Sequence, residues 1–459
     1  MVFSTPSAAF KMISIPEALD IVLAEANPLP AETVPFQKAF QHILAADVLG
    51  AEPVPGYRAS IKDGYAVFSS DGPGEYDIVF EAHAGTAPGT LTAGNVAYIS
   101  TGGPVPDGAD AVVQIEDTKT IEDSSTANNK SIRVKILRQV RPGEDIREIG
   151  SDMAAGQIAL PAGHSIGAAE VGILATVGAV EVSVHRKPHV AVLSTGDEVM
   201  EPSVSKLTPG KIRDANRAML LAAAVETGAK VTDLGIAADT AQQVEAALDK
   251  ALSAGADVVL TTGGVSMGDK DFIKPLLERR GTIFFGKVCM KPGKPLTFAR
   301  VPNSTTGRNT LVFGLPGNPA SSLVTFHLVV VPCLRKMAGW PDPSLRRIHV
   351  RLAGAIKMDP ERPEYHRAVF HWERPEPVAG AEISKSGGEE IFQGEFVAES
   401  TGGQISSRIL SLKSANALIE VPAHKGSLPA GTRLTALVIG EIGSMPQPQQ
   451  HPILTMKAP

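Results

Sequence analysis

Three glycine-rich segments carry most of the chain's capacity for chemistry. They are Leu193-Ser-Thr-Gly-Asp-Glu198, Thr261-Thr-Gly-Gly-Val-Ser-Met-Gly-Asp-Lys-Asp271 and Gly314-Leu-Pro-Gly-Asn-Pro-Ala-Ser321. Each follows an apolar run that reads as a strand. Glycine lets backbone amides come close to a ligand, and in α/β sheets ligands bind beyond the carboxyl ends of the strands. One such loop alone is only a turn; three of them at three strand ends point to a site. None has the spacing of a Walker loop or a dinucleotide fingerprint. Pro319 suits a first helical turn, which leaves free amides near Ser321 to face an anion. Asp239 ends a further strand, the second, while Asp269 and Asp271 sit in the glycine-rich segment after the third. Carboxylates converging there beside a phosphate suit Mg2+, which takes one or two of them together with phosphate oxygens and water. Capping of the next helix is the competing use for Asp269 and Asp271. Lys291-Pro-Gly-Lys294-Pro295 sets two ammonium groups in a stiff loop, able to hold a small oxyanion or to stand as a surface pair.

The elements that position these loops are legible from periodicity. From Lys187 to Gly339, strands are expected at Val190–Leu193, Val231–Ile236, Val258–Thr262 and Thr310–Phe313. They alternate with helices at Arg217–Thr227, Ala241–Ser253, Phe272–Arg280 and Ser321–Ala338. Such alternation implies a parallel sheet with helices on both faces. Before it, a helix capped by Ser14 runs to about Ala26, and Ser165–Val177 also reads as a helix. Between these, residues 48 to 147 hold short apolar runs separated by Gly/Pro turns, the texture of a small β-rich domain, with a mobile loop expected over Lys119–Ser131. Strands return after Arg346, at Ile348–Leu352, Tyr365–Trp372, Ala417–Val421 and Leu434–Ile439, interrupted by a polar insertion near Gly380–Gln393. A disordered Pro/Gln-rich tail is expected after Ser444, and a flexible one at Met1–Lys11.

Composition narrows the function classes. The chain has 459 residues, with 43 Lys+Arg against 49 Asp+Glu and a net charge of -6. That length suits several domains, and the slight acidity argues against coating nucleic acid through net charge. Two cysteines cannot make a disulfide framework or a four-thiolate zinc site. Both adjoin apolar residues and read as structural. His366 and His371 share a strand at odd spacing, which turns them to opposite faces and makes them poor metal partners for each other. Leu323–Leu334 is too short and too interrupted for a membrane span, and a cytoplasmic protein is expected.

Several motifs together carry a resemblance. They are Ala59-Ser-Ile-Lys-Asp-Gly-Tyr-Ala66, Ser100-Thr-Gly-Gly-Pro-Val-Pro-Asp-Gly-Ala-Asp110, Ser194-Thr-Gly-Asp-Glu198, Ile212-Arg-Asp-Ala-Asn-Arg217, Thr262-Gly-Gly-Val-Ser-Met-Gly-Asp269, Met290-Lys-Pro-Gly-Lys-Pro295 and Leu315-Pro-Gly-Asn-Pro319. In this order, over about Ile13 to Ile442, the chain resembles the molybdenum insertase family of the MoeA and gephyrin E-domain type, nearest in pattern to the E domain of the plant enzyme. The resemblance implies a multidomain α/β plus β fold. It comprises an elongated linker and dimerisation subdomain (13–48 and 148–183) and a β-rich insertion (49–147). A central doubly wound α/β domain related to MogA and MoaB (184–341), a C-terminal β-barrel-like domain (342–443) and a tail (444–459) complete it.

The resemblance also implies a transferase that inserts molybdenum from molybdate into the dithiolene of adenylylated molybdopterin, with Mg2+-dependent release of AMP. By motif position, Asp239, Asp271 and Ser266 would serve the cleavage, with Asp239 and Asp271 on the metal. Lys291, Lys294, Pro295, Ser321, Arg362 and Ser406 would hold molybdate, and Lys62, Asp63, Thr101 and Glu198 match further site positions. The substrate would bring its own sulfurs, so no cysteine is needed. Implied partners are a second copy of the chain, a molybdopterin adenylyltransferase domain or protein, and molybdenum enzymes as acceptors, with neither nucleic acid nor membrane. The family also supports a second use, in which a gephyrin-like module clusters receptors as a scaffold.

Overall fold

A computed structural model describes residues 10–121, 133–264, 272–373 and 394–442. The chain divides into two compact units, Glu32–Val184 and Met1–Ala31 with His185–Pro459.

The unit Glu32–Val184 is built on a six-stranded sheet. Its spatial order is Ala111–Gln114, Gly64–Val67, Asn95–Ile99, Gly74–Ala82, Arg133–Ile136 and Thr118–Ile121. Successive residues of one strand serve opposite faces. Tyr65, Val67, Val96 and Val113 pack in one apolar layer, and Ala66, Ala97, Ile99 and Val112 pack in the other. A third cluster joins Leu44, Val182 and Val184 to Leu174 of the helix Ala168–Thr176. The expected loop over Lys119–Ser131 begins later than its polarity suggested, because Lys119–Ile121 pairs with Arg133–Lys135. Its remainder lies outside the described residues, as do residues 1–9 of the N-terminal tail, the polar insertion to residue 393 and the tail from residue 443.

In the other unit, helix α1 (Ile15–Glu25) begins as its sequence predicts, with the Ser14 hydroxyl accepting the Glu17 N–H at 3.2 Å. The α/β body then runs β1 (His189–Thr195), α2 (Ala215–Glu226), β2 (Lys230–Ala237), α3 (Ala241–Ser253), β3 (Val258–Thr262), α4 (Ile273–Arg280), β4 (Thr282–Phe285), β5 (Thr297–Asn303), β6 (Arg308–Leu315) and α5 (Pro319–Met337). The sheet order is β2-β1-β3-β6-β5-β4. Strands β2, β1, β3 and β6 are mutually parallel, whereas β5 runs antiparallel to both β6 and β4. The sheet is therefore mixed at one edge, not wholly parallel.

Strand parity divides the core. Val190, Val192, Val258, Leu260, Leu311 and Phe313 pack with α1, α2 and α5. Ala191, Leu193, Val259 and Val312 pack with α3 and α4 on the other face. Helix α5 is long and apolar, but it is 78% buried inside the protein and belongs to this core. Five further strands, β7 (Arg347–Leu352), β8 (Glu364–Glu373), β9 (Glu395–Ser400), β10 (Ala417–Val421) and β11 (Arg433–Val438), close a barrel in the order β7-β9-β8-β10-β11. Val350, Ala368, Phe370, Ile419 and Ala436 fill it.

Candidate active site

The carboxyl ends of β1, β2, β3 and β6 gather one set of residues. β1 runs into Gly196-Asp197-Glu198, and β2 ends two residues before Asp239. The two aspartates are paired reciprocally: the Asp197 N–H faces Asp239 Oδ2 at 3.4 Å, and the Asp239 N–H donates to Asp197 Oδ1 at 3.1 Å. The Lys211 ammonium donates to the Asp197 carbonyl. Glu198 folds back over Gly196, where an added Cβ would lie 2.8 Å from its carboxylate. After β3, Gly263 has φ +89°, and a Cβ there would meet the Thr195 carbonyl oxygen at 2.4 Å. This position requires glycine on both counts.

The Asn216 side-chain amide, in the first turn of α2, ties two of these loops together. It donates to Thr262 Oγ1 at 2.8 Å and to the Gly317 carbonyl at 2.7 Å. Beneath them Asp214 caps α2, accepting the Arg217 N–H at 3.1 Å and the Ser194 hydroxyl at 2.9 Å. Arg217 in turn binds Asp214, Asp233 and Glu201, which fixes the start of α2.

A second set forms where the barrel meets the α/β body. Lys291 bridges to Glu364, with the Lys291 N–H on the Pro363 carbonyl at 2.9 Å and the Tyr365 N–H on the Lys291 carbonyl at 2.8 Å. The Lys291 ammonium lies 2.9 Å from Glu364 Oε2 and 3.7 Å from Asp359 Oδ2. Arg362 shares Asp359 at 3.4 Å. Burial alone would raise the Glu364 carboxyl, but hydrogen bonds from His366 and Lys291 outweigh it and hold the group below the usual carboxylate range. Asp359 is also held low, chiefly by the Glu361 N–H and further by the Arg362 N–H and the charges of Arg362 and Lys291. Lys294 is exposed two residues past Pro292, with no ion pair among the described residues. Ser406 accepts the Asn318 amide at 3.0 Å on Oγ, and its carbonyl accepts the Ala320 N–H at 3.1 Å, next to the buried Ser321.

The two sets are contiguous. The loop Pro316–Asn318 touches Asn216 with the carbonyl of Gly317 and Ser406 with the side chain of Asn318. In the other unit, Asp63 and Thr101 come together, the Thr101 N–H donating to Asp63 Oδ1 at 2.7 Å. Gly64 follows Asp63 because a Cβ there would strike the Val113 carbonyl at 1.9 Å. Lys62 is exposed beside them. Ser266, Asp269 and Asp271 lie outside the described residues.

Sequence reasoning passed over Asp197, Asn216, Asn318, Asp359 and Glu364, and weighed His366 only as a metal partner of His371. Asp197, Asn216 and Asn318 sat inside quoted motifs, overshadowed by their glycine and charged neighbours. Glu364 and His366 found partners that sequence spacing does not reveal. Cys333 is buried, and burial pushes its thiol up, in keeping with a structural role.

Among the described residues no group of three or more His, Cys, Asp or Glu is placed to hold a metal ion. The paired Asp197 and Asp239 nevertheless offer oxygen donors of the kind a hard cation takes beside a substrate phosphate. Backbone amides and carboxylates lie at the strand ends, and ammonium, guanidinium and hydroxyl groups at the junction. The arrangement can therefore bind a phosphate-bearing ligand and a small oxyanion side by side.

Comparison with known proteins agrees with this layout. Residues 13–178 match the MoeA N-terminal region (domain I and II), residues 191–336 a probable molybdopterin binding domain, and residues 390–439 the MoeA C-terminal region (domain IV). Gephyrin of Dictyostelium discoideum is 38% identical over 95% of this chain, which spans 64% of that protein's length. Molybdopterin molybdenumtransferase of Nostoc sp. is 34% identical, with 88% of each chain covered. The crystal structure of the molybdopterin biosynthesis MoeA protein from Pyrococcus horikosii is 28% identical and superposes with a TM-score of 0.72, covering 94% of this chain and all of that one. On sequence, domain order and fold, the chain belongs to the molybdopterin molybdenumtransferase family.

Proposed function

We propose that the chain is a molybdenum insertase of molybdenum cofactor biosynthesis. It takes adenylylated molybdopterin and molybdate, places molybdenum in the dithiolene and releases AMP as the phosphoanhydride is cleaved. The observation that carries this reading is the loop Pro316–Asn318, which joins the carboxylate-bearing strand ends to the cationic barrel junction. A nucleotide-pterin anhydride and a tetrahedral dianion need those two environments next to each other.

Asp239, Asp197 and Asp271 would hold Mg2+, which would neutralise charge building on the anhydride. The glycine-lined amides at Gly263 and Gly317 donate to phosphate oxygens, and Ser266 belongs to the same sequence motif as Asp271. Lys291, Lys294, Arg362, Ser321 and Ser406 hold molybdate through charge-assisted hydrogen bonds, with Pro295 stiffening the loop. Glu198 orients the ligand at the strand ends. In this reading the protein is a cytoplasmic homodimer, and Lys62, Asp63 and Thr101 act on the substrate of the second copy. An adenylyltransferase supplies the nucleotide-pterin, and molybdenum enzymes take the product.

The test is AMP release from adenylylated molybdopterin by Asp271→Asn. We expect release to be abolished with an unchanged circular dichroism spectrum. Near-wild-type turnover in the folded variant removes Asp271 from the reaction.

A further inference from the structure

Strand β8 opens with Glu364-Tyr365-His366-Arg367, four buried residues of which three are polar or charged. Glu364 and His366 share the face that continues into the barrel core through Ala368 and Phe370. They are 3% and 5% exposed. A buried carboxylate is costly unless every oxygen is engaged, and here both are. Oε2 takes the Lys291 ammonium, and Oε1 lies 2.9 Å from His366 Nδ1. Ionised Glu364 can only accept, so the imidazole carries its proton on Nδ1. His366 Nε2 then faces the Ser400 hydroxyl at 2.7 Å. Ser400 ends β9, and its oxygen accepts the Gly402 N–H at 3.2 Å. There begins the segment that carries Ser406.

The neighbouring Arg367 holds the same segment by its main chain. Its N–H donates to Gln404 Oε1 at 2.9 Å, and its carbonyl accepts the Thr401 N–H at 3.2 Å. The guanidinium adds a bond from Nε to Ser411 Oγ at 3.1 Å.

We infer that Glu364 and His366 are positioning residues that set the two arms of the oxyanion cradle at once, with Lys291 on one side and the Ser400–Ser406 segment on the other. The inference rests on the reading of this cleft as the molybdate site. Neither residue is assigned to the anion: Glu364 acts through Lys291, and His366 through Ser400 at the start of the segment that carries Ser406. A single buried carboxylate–imidazole pair spans the arms, so loss of either member loosens both. Merely structural residues would lower stability without altering one substrate's affinity more than the other's.

The experiment measures molybdate binding to the full chain by equilibrium dialysis, together with half-saturation for adenylylated molybdopterin in turnover. Wild type, Glu364→Gln, His366→Ala, His366→Gln, Ser400→Ala and the double variant His366→Ala/Ser400→Ala are compared. Glu364→Gln and His366→Ala should weaken molybdate binding about tenfold, with half-saturation for the nucleotide-pterin within about twofold of wild type. His366→Gln, whose amide keeps a polar group toward Ser400, should recover part of the loss. Ser400→Ala should weaken binding about threefold alone and have no further effect beside His366→Ala, because residues in one chain of contacts are not additive. Equal molybdate affinity in folded variants, or additive losses in the double variant, overturns the inference and leaves the reading of the cleft intact. A wild-type chain that binds no molybdate overturns both.

Discussion

The strand ends of the α/β sheet and the junction at the barrel are built from opposite materials. At the strand ends, glycines and main-chain amides do the shaping, and Asp197 and Asp239 hold each other through backbone N–H groups. At the junction, side chains are locked in a chain that runs from partly exposed Lys291 through buried Glu364 and His366 to Ser400 at the surface. The difference matches the ligands proposed for each. An anhydride whose charge shifts during cleavage suits carboxylates and amides that remain accessible. A compact dianion is best held by cations whose geometry is set before it arrives.

That contrast can be broken from either end. The largest effect is expected at the strand ends, where Asp239→Asn should slow AMP release about a hundredfold and leave molybdate binding unchanged. A matching loss of molybdate affinity would mean that the two sets are one. Next, Gly263→Ala should cost about 2–3 kcal/mol of stability, since it combines a left-handed φ with a collision against the Thr195 carbonyl. Thermal melting of the purified variant reads it directly, and an unshifted melting temperature would mean that the loop relaxes freely.

At the junction, Lys291→Met should cost about 1–2 kcal/mol, less than for a fully buried pair because the lysine is one-third exposed. The pH dependence follows from Glu364. Its folded carboxyl is held below its unfolded value, so the pair's contribution is complete above the ordinary glutamate range near pH ~4.3 and fades as pH falls through the lower folded value. The stability difference between wild type and Glu364→Gln should therefore be widest at neutral pH and close on acidification. A constant difference across pH would remove the ionised carboxylate from the account. The smallest effect is expected at Arg367→Met, within about 1 kcal/mol. Two of the guanidinium nitrogens are buried without a hydrogen-bond partner among the described residues, and the main chain holds the adjoining segment.

The sequence made these two regions legible to different depths. Apolar runs ending in glycine marked β1, β3 and β6, because strand periodicity and loop chemistry are both local. The antiparallel strands Thr282–Phe285 and Thr297–Asn303 escaped notice. They are short apolar runs between stronger signals, and nothing local distinguishes an edge pair from a connection. Asp63 and Thr101 were named from the family resemblance, and only the fold showed that one accepts the other's backbone N–H. Glu364 and His366 were hidden more deeply. Spacing set His366 and His371 on opposite faces as poor metal partners for each other, but it could not show that the partners of His366 are a carboxylate two residues away and a hydroxyl on another strand.

Helix α5 contains a π-helical turn over Phe326–Val330. Its first turn is fastened to the Ser406 carbonyl through the Ala320 N–H. Its last turn is fastened to the N-terminal region, where Lys336 donates to the Leu23 carbonyl at 2.6 Å and the Met337 carbonyl accepts the Leu29 N–H at 2.8 Å. A regular helix advances about 100° per residue, so these two anchorages could not both be met if the residue count between them changed by one. The wide turn acts as a phase adjuster: it absorbs one residue and lets the ends of the rod face different directions. Deleting one residue within it would rewind the rod as a uniform helix and force one anchorage to let go.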